Sequence, residues 1–288
     1  MYRLRFAEPF NQNRRLTGVR KGVVMKKVLF VMLAGLLVLP MFAQSAPYTI
    51  EVGGSTSVTP LMELFAGAYA KAKPAVKVNI NPTGSGDGVN NAGVLYQIGM
   101  SSRELTPAEK GKGLKEEVIA IDGIAVIVHR NNPVKSLTVE QIRDIFSGAI
   151  TDWSQVTGGT KRGRIAVVSR EAGSGTRGAF EEIIGLKTLV AGATESTSTG
   201  AIKAGIAQNP DAIGYISLGS LDKTIKAVDV GGVAASNRNV VRGTYKIARP
   251  FILIYRDTNL HAESKAFLDW MKSKQAQPII ATSWIPAR

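Results

Sequence analysis

Apolar and polar residues alternate along the chain with a period that switches several times between two and about four. Residues 48–52 alternate as a short strand, and a helical pattern then runs from Pro60 to Tyr69. Residues 76–80 alternate again, and a second helical pattern reaches Leu95. Strands that take turns with helices in this way predict an α/β fold.

Two later segments are too apolar for half-exposed strands. Residues 119–128 form the most apolar stretch after residue 46 and include Gly123, and residues 245–255 form a second such stretch, interrupted by Pro250. We interpret them as buried strands that cross between two lobes, each a central mixed β-sheet flanked by helices. The predicted division is lobe I at residues 47–125, an inserted lobe II at 126–247, and a return to lobe I at 248–288.

Glycines and hydroxyl residues follow three predicted strands. They are the runs G-G-S-T-S at residues 53–57, T-G-S-G-D-G at 83–88 and S-S-R at 101–103. Ligands of open α/β sheets bind beyond the carboxyl ends of strands, so these loops are expected to converge on one crevice. Taken singly, each run also fits an ordinary helix cap.

The run R-E-A-G-S-G-T-R, from Arg170 to Arg177, is the strongest candidate for an anion site. Its glycines allow backbone N–H groups close to a ligand, the helix predicted to follow leaves N–H groups unpaired, and arginine offers a planar set of donors. A nucleotide loop is disfavoured because Gly175 stands where a Walker motif has lysine. A capped, glycine-rich turn with two solvated arginines is the alternative.

The amino-acid composition excludes several kinds of functional site. The chain has 288 residues, 44% of them hydrophobic and 20% charged, with no cysteine and two histidines. This excludes disulfides, thiolate metal sites and cysteine nucleophiles, and no histidine stands near the hydroxyl residues to activate them. We expect a binding protein rather than an enzyme, with no cofactor and no metal. No basic stripe interleaved with aromatic residues indicates nucleic-acid binding.

The first 46 residues have the pattern of an export signal. Met25-Lys-Lys is followed by an apolar run to Phe42 and by small residues up to Ala46, as in a cleaved secretory signal peptide. Residues 1–24 fit either a longer basic leader or a start upstream of the true one. Residues 1–46 carry eight Lys or Arg and one acid, so without them the formal net charge falls from +14 to +7. A moderately basic protein suits the capture of anions.

Five motifs follow one another along the chain, and in order they are G-G-S-T-S-V-T-P, T-G-S-G-D-G, I-G-M-S-S-R-E, F-S-G-x-I-x-x-W and R-E-x-G-S-G-T-R. Together they make the chain resemble the phosphate-binding proteins of ABC importers. The resemblance extends from about Tyr48 to the carboxyl end. It implies a type II periplasmic-binding fold that holds dehydrated phosphate between two lobes. It also implies a periplasmic or extracytoplasmic location, a monomer, and a membrane permease and an ATPase as partners.

The resemblance also implies which residues bind phosphate. They are Thr56 and Ser57 of the first loop, Ser85 of the second, Arg170, and Ser174, Gly175 and Thr176 of the inserted lobe. Ser55, Gly84, Gly86, Gly173 and Arg177 are expected behind them. Arg103 is expected either to donate to phosphate or to brace Asp87.

One position departs from the family pattern. Relatives that carry an aspartate after the third strand use it to accept the proton of hydrogen phosphate, whereas this chain has Ser102 there. We still expect Ser102 among the residues that bind the ligand. We take Asp87 as the replacement acceptor, because a carboxylate beside a dianion is repulsive unless a proton lies between them. An ordinary turn aspartate is the alternative.

Three other functions remain open at the level of sequence. They are a binding protein for sulfate, molybdate or tungstate, a secreted phosphatase or phosphotransferase, and an extracellular phosphate sensor that serves no transporter.

Overall fold

The computed structural model describes residues 47–287, so the predicted leader and signal peptide at residues 1–46 lie outside the described residues. The strands are β1 Tyr48–Gly54, β2 Val76–Asn81, β3 Ile98–Ser101, β4 Lys115–His129, β5 Ser136–Leu137, β6 Ala166–Arg170, β7 Thr194–Ser196, β8 Ala212–Ser217, β9 Ile225–Ala227, β10 Asp229–Val230, β11 Ala248–Tyr255 and β12 Ile285–Pro286. The helices are α1 Thr59–Ala72, α2 Ser85–Asn91, α3 Pro107–Lys110, α4 Val139–Ser147, α5 Ser154–Thr157, α6 Gly175–Ile184, α7 Thr199–Gln208, α8 Asn237–Val241, α9 Ala262–Lys272 and α10 Gln277–Ile280. Along residues 47–287 no helix has both the length and the hydropathy needed to span a bilayer.

A mixed sheet runs through both lobes. Its strand order is β2-β1-β3-β11-β4-β8-β6-β7, and β9 and β12 also pair with β4. The strands β1, β2 and β3 run parallel, as do β6, β7 and β8, while β4 and β11 pair antiparallel with their neighbours. The carboxyl ends of each parallel set therefore lie at one edge of the sheet, where loops can build a shared site.

The long strand β4 changes partners at the point where the lobes meet. Its first part, up to Gly123, pairs with β11, and from Ile124 onward it pairs with β8 and β9. At this change Asp122 lies directly opposite Arg249 of β11, and their side chains form an ion pair of 3.0 Å in which each is 1% exposed. These are the two predicted crossing strands.

The apolar core is divided between the lobes. Two clusters of buried residues draw all their buried members from residues 124–247, and two others draw theirs only from residues outside that range. Helix α1, for example, buries Leu61, Phe65 and Tyr69 in a cluster that includes residues of β11 and α9. The division of the chain into lobes at residues 125/126 and 247/248 stays a prediction.

Some predicted elements differ from the structure. The helix predicted through Val94 and Leu95 is wrong, because α2 ends at Asn91 and both side chains are exposed. Residues 194–196, for which no strand was predicted, form β7, which pairs with β6 and lies at the end of the sheet.

Candidate functional site

Hydroxyl side chains from five loops meet where the two lobes face each other. Each follows the end of a strand or opens a helix, as the carboxyl edge of parallel strands favours. We call this set the hydroxyl cluster; all its members are buried, and they are Ser55, Thr56, Ser57, Ser85, Ser102, Thr176 and Thr199.

The cluster is held together by short contacts, several of which join the two lobes. Ser57 Oγ lies 2.8 Å from Thr176 Oγ1 and 3.1 Å from Thr199 Oγ1. Within lobe I, Ser55 donates to Ser102 over 2.9 Å, and the N–H of Ser102 donates to Ser85 Oγ over 3.1 Å. Hydroxyls both donate and accept hydrogen bonds, so the cluster can bind both unprotonated and protonated oxygens of a ligand.

Helices α6 and α7 begin at the cluster. The first N–H groups of a helix lack helical partners and carry partial positive charge, which favours anions. The Ser174 hydroxyl caps α6 by accepting the N–H of Arg177 over 3.3 Å.

Residue 175 has no room for a side chain. A Cβ built on Gly175 would overlap Ser85 Oγ and lie 3.0 Å from Ser102 Oγ. Only glycine lets the first turn of α6 approach the hydroxyls of lobe I this closely.

Arg170 brings a buried cation beside these loops. Its side chain is 3% exposed, and both Nε and Nη2 donate to the Glu171 carboxylate over 2.8 Å. Nε and Nη2 also donate to the carbonyls of Ser196 and Thr197, at 3.2 and 3.4 Å. Over the described part of the chain, Nη1 makes no hydrogen bond, so Arg170 keeps donors for an anion.

Asp87 is engaged outside the cluster. Thr83 and Tyr96 donate to Oδ2 over 2.5 and 2.8 Å, and Asn91 donates to Oδ1 over 2.7 Å. Burial raises the pKa of Asp87, but these three hydrogen bonds outweigh it and hold the pKa below its ordinary value. The carboxylate is thus ionised at neutral pH, and its donors are Thr83 just before α2, Asn91 at the end of the same helix, and Tyr96.

The other two predicted arginines also have carboxylate partners. Arg103 binds both oxygens of Glu109 over 2.8 Å rather than bracing Asp87. Arg177 binds Glu181 and Glu195 over 2.7 Å and donates to the carbonyl of Arg170 over 2.8 Å. Arg177 therefore supports the Arg170 loop from behind.

Two residues at the site were missed by sequence reasoning. Thr199 opens α7, and its N–H donates to Thr56 Oγ1 over 3.3 Å. Glu171 lies inside the R-E-A-G-S-G-T-R run but was given no role there. The hydroxyls before Gly200 repeat the signal of the other loops, a hydroxyl at a helix start, and could have identified Thr199.

The two histidines are engaged away from the hydroxyl cluster. Within residues 47–287, no group of three or more His, Asp or Glu side chains is placed to hold a metal ion. His129 accepts the N–H of Asn131, and His261 caps α9 and stacks on Tyr48, so neither contacts the hydroxyl cluster.

The chain is similar to proteins of one family. A model of the PBP superfamily domain matches residues 43–275. A crystal structure of a phosphate ABC transporter substrate-binding protein from Clostridium perfringens, with bound phosphate, is 45% identical, with a TM-score of 0.81 over 83% of this chain and 100% of that one. An ABC-type phosphate transport receptor from Vibrio cholerae is 35% identical, with a TM-score of 0.68 over 83% and 100% of the two chains. Phosphate-binding protein PstS of Borreliella burgdorferi is 28% identical over 89% of this chain and 96% of its own.

Proposed function

The chain belongs to the PBP superfamily and, within it, to the substrate-binding proteins of phosphate ABC transporters, and we propose that it captures inorganic phosphate between its two lobes. The observation that carries this proposal is the contact of Ser57 in lobe I with Thr176 in lobe II, 2.8 Å apart and both buried. A ligand that bound both lobes at this point would be enclosed by protein.

Binding rests on many neutral donors and one arginine. Phosphate gives up its hydration on entry, so each of its oxygens needs hydrogen bonds from the site. The hydroxyl cluster, the N–H groups at the start of α6 and the free Nη1 of Arg170 are suited to supply them. A donor left unpaired in the closed site costs about 1–3 kcal/mol, which makes the fit selective for a tetrahedral oxyanion.

We propose that Thr56, Ser57, Ser85, Ser102, Arg170, Ser174, Gly175, Thr176 and Thr199 contact the ligand. The roles first predicted for Asp87 and Arg103 stay predictions. Asp87 accepts a hydrogen bond from Tyr96, and Arg103 donates to Glu109. Ser55, Gly84, Gly86, Gly173 and Arg177 shape these loops from behind. Gly86 N–H, for example, donates to the carbonyl of Gly173 over 3.0 Å and so joins the lobes.

We further propose that the protein acts outside the cytoplasm as a monomer, after cleavage of its signal peptide, and passes phosphate to a permease and an ATPase. Hydrolysis of phosphate esters is the competing function. It would require a base beside a hydroxyl, and among the described residues no histidine or carboxylate is hydrogen-bonded to the cluster.

Calorimetric titration of the signal-less protein tests the proposal. The protein is stripped of ligand by unfolding and refolding, and is then titrated with phosphate and separately with sulfate. We expect tight phosphate binding and no turnover of a chromogenic phosphate ester. Absence of phosphate binding by the refolded protein would reject the proposed function.

A further inference from the structure

The carboxylate of Glu171 lies at the interface of the two lobes, beside the anion-binding loop. Both of its oxygens accept from Arg170. The side chain is 27% exposed, and Oε1 lies 3.4 Å from the place where a Cβ of residue 84 would stand. Gly84 has a φ of +101°, which favours glycine, and glycine leaves space for the carboxylate there.

The neighbouring contacts place Glu171 beside the loop that carries Ser85. Glu171 reaches Gly84, and the carbonyl of Gly173 accepts the N–H of Gly86 over 3.0 Å. Ser85 lies between these two contact points, and its hydroxyl belongs to the cluster. The segment from Glu171 to Gly173 thus flanks Ser85.

A carboxylate in this place can distinguish two oxyanions of similar shape. Near neutral pH phosphate keeps a proton and sulfate has none, so an ionised carboxylate accepts a hydrogen bond from phosphate and only repels sulfate. Arg170 uses two of the roughly four acceptor positions on Glu171, which leaves positions for a P–O–H group.

Other carboxylates nearby are directed elsewhere. The three donors to Asp87 are Thr83, Asn91 and Tyr96. Asp122 is buried between the crossing strands, where it accepts from Arg249 and Ser217.

We propose that Glu171 accepts the proton of bound phosphate and thereby sets the preference for phosphate over sulfate. The inference rests on the proposed function of the same site. Ser102 can accept a hydrogen bond from phosphate, but its hydroxyl can equally donate to sulfate, so it cannot reject sulfate as the Glu171 carboxylate can. Glu171 also neutralises the positive charge of Arg170, so that charge alone does not hold a dianion in the site.

The test compares Glu171→Gln with the wild type in titrations with phosphate, arsenate and sulfate. Arsenate serves as a second protonated oxyanion. Glu195→Gln is the matched control, because Glu195 is an exposed acid on the adjacent strand β7 and pairs with Arg177. Asp87→Asn tests the other acceptor. Glu171→Ala repeats the test without the amide group that Glu171→Gln introduces. Circular dichroism verifies that each protein is folded.

We expect the ratio of phosphate to sulfate affinity to fall at least tenfold in both Glu171 variants, with arsenate following phosphate, and to stay unchanged in Glu195→Gln. A ratio that stays within threefold of wild type in both Glu171 variants would overturn the inference, and so would a collapse confined to Asp87→Asn. If the wild type fails to bind phosphate, the proposed function itself fails.

Discussion

Arg249 and Asp122 stand opposite each other on the two crossing strands and form an ion pair that is almost completely buried. Asp122 also accepts the hydroxyl of Ser217 over 2.8 Å. Nε and Nη1 of Arg249 are buried and have no hydrogen-bond partner among the described residues. The Asp122 carboxylate is therefore the main group that compensates the positive charge of Arg249, which is held away from water.

Replacing Asp122 by Asn should destabilise the protein strongly, because it leaves the buried guanidinium uncompensated. We expect a loss of about 3 kcal/mol in the free energy of unfolding, measured by urea denaturation at pH 7.5. The double variant Asp122→Leu with Arg249→Met removes both charges and should lose less than Asp122→Asn. If the free energy of unfolding of Asp122→Asn lay within about 0.5 kcal/mol of the wild-type value, this account would be contradicted, because surface substitutions usually have effects of that size.

Glu109 provides a stabilising contribution that depends on pH. Hydrogen bonds from Arg103 lower the pKa of Glu109 to about 2, against the opposing effect of burial and with help from the N–H of Thr106. A carboxyl with a lowered pKa in the folded protein stabilises it above the ordinary value of 4.5, and this stability is lost as the pH falls through about 2.

Glu109→Gln should consequently cost about 2 kcal/mol at pH 7, as for other hydrogen bonds to charged groups. The difference from wild type should shrink between pH 4.5 and 3 in urea denaturation. Glu63→Gln, at an exposed position on α1, is the control and should show neither effect. A difference that stays constant with pH would show that the ionised pair is not its source.

Gly175→Ala should abolish tight phosphate binding, because the added methyl group overlaps Ser85 Oγ and forces α6 away from lobe I. We expect at least a hundredfold weaker binding by calorimetry. Gly178→Ala is the matched control on the same helix, where the new Cβ would lie 3.4 Å from the flexible Arg103 side chain. Its affinity should remain near that of wild type. Equal affinities in the two variants would refute a close approach at residue 175.

Thr199→Val should weaken phosphate binding about tenfold, the cost of losing one hydrogen bond in a buried site. The methyl groups preserve the packing of the start of α7, so the unfolding midpoint should change little. Thr199→Ser keeps the hydroxyl and should bind nearly as well as wild type. Full affinity in the valine variant would assign Thr199 to the scaffold.

The convergence of the loops that carry Ser57, Ser85 and Ser102 was predicted from the sequence because each loop follows a strand end, which local patterns report well. Thr176 was added to them by the family resemblance. Boundaries were less certain. Helix α6 was predicted to follow the run that ends at Arg177 but begins inside it, at Gly175, since Ser174 caps it and two residues of weak helix preference then enter the first turn. Val94 and Leu95 fit a helical period yet face solvent, because apolar spacing does not reveal where a helix ends.

Side-chain partners were the part that sequence could not supply. The pairing of Arg103 with Glu109 and of Arg170 with Glu171 depends on rotamers and on neighbouring loops. Thr199 lies 142 residues from Ser57, and only the folded sheet brings their hydroxyls to 3.1 Å. Long-range contacts of this kind follow from topology rather than from local composition.

The chain enters and leaves the predicted lobe II on two neighbouring strands. Gly123 and Ala248 are direct partners in the sheet, and the N–H of Ile124 donates to the carbonyl of Ile247 over 2.8 Å. Paired residues on antiparallel strands are only about 5 Å apart, a gap that a tight two-residue turn closes. Lobe II is thus a cassette that leaves and re-enters the chain at one place. Lobe II could therefore be exchanged between related chains. Where it is removed, a short hairpin that keeps the register of β4 and β11 would close the first lobe.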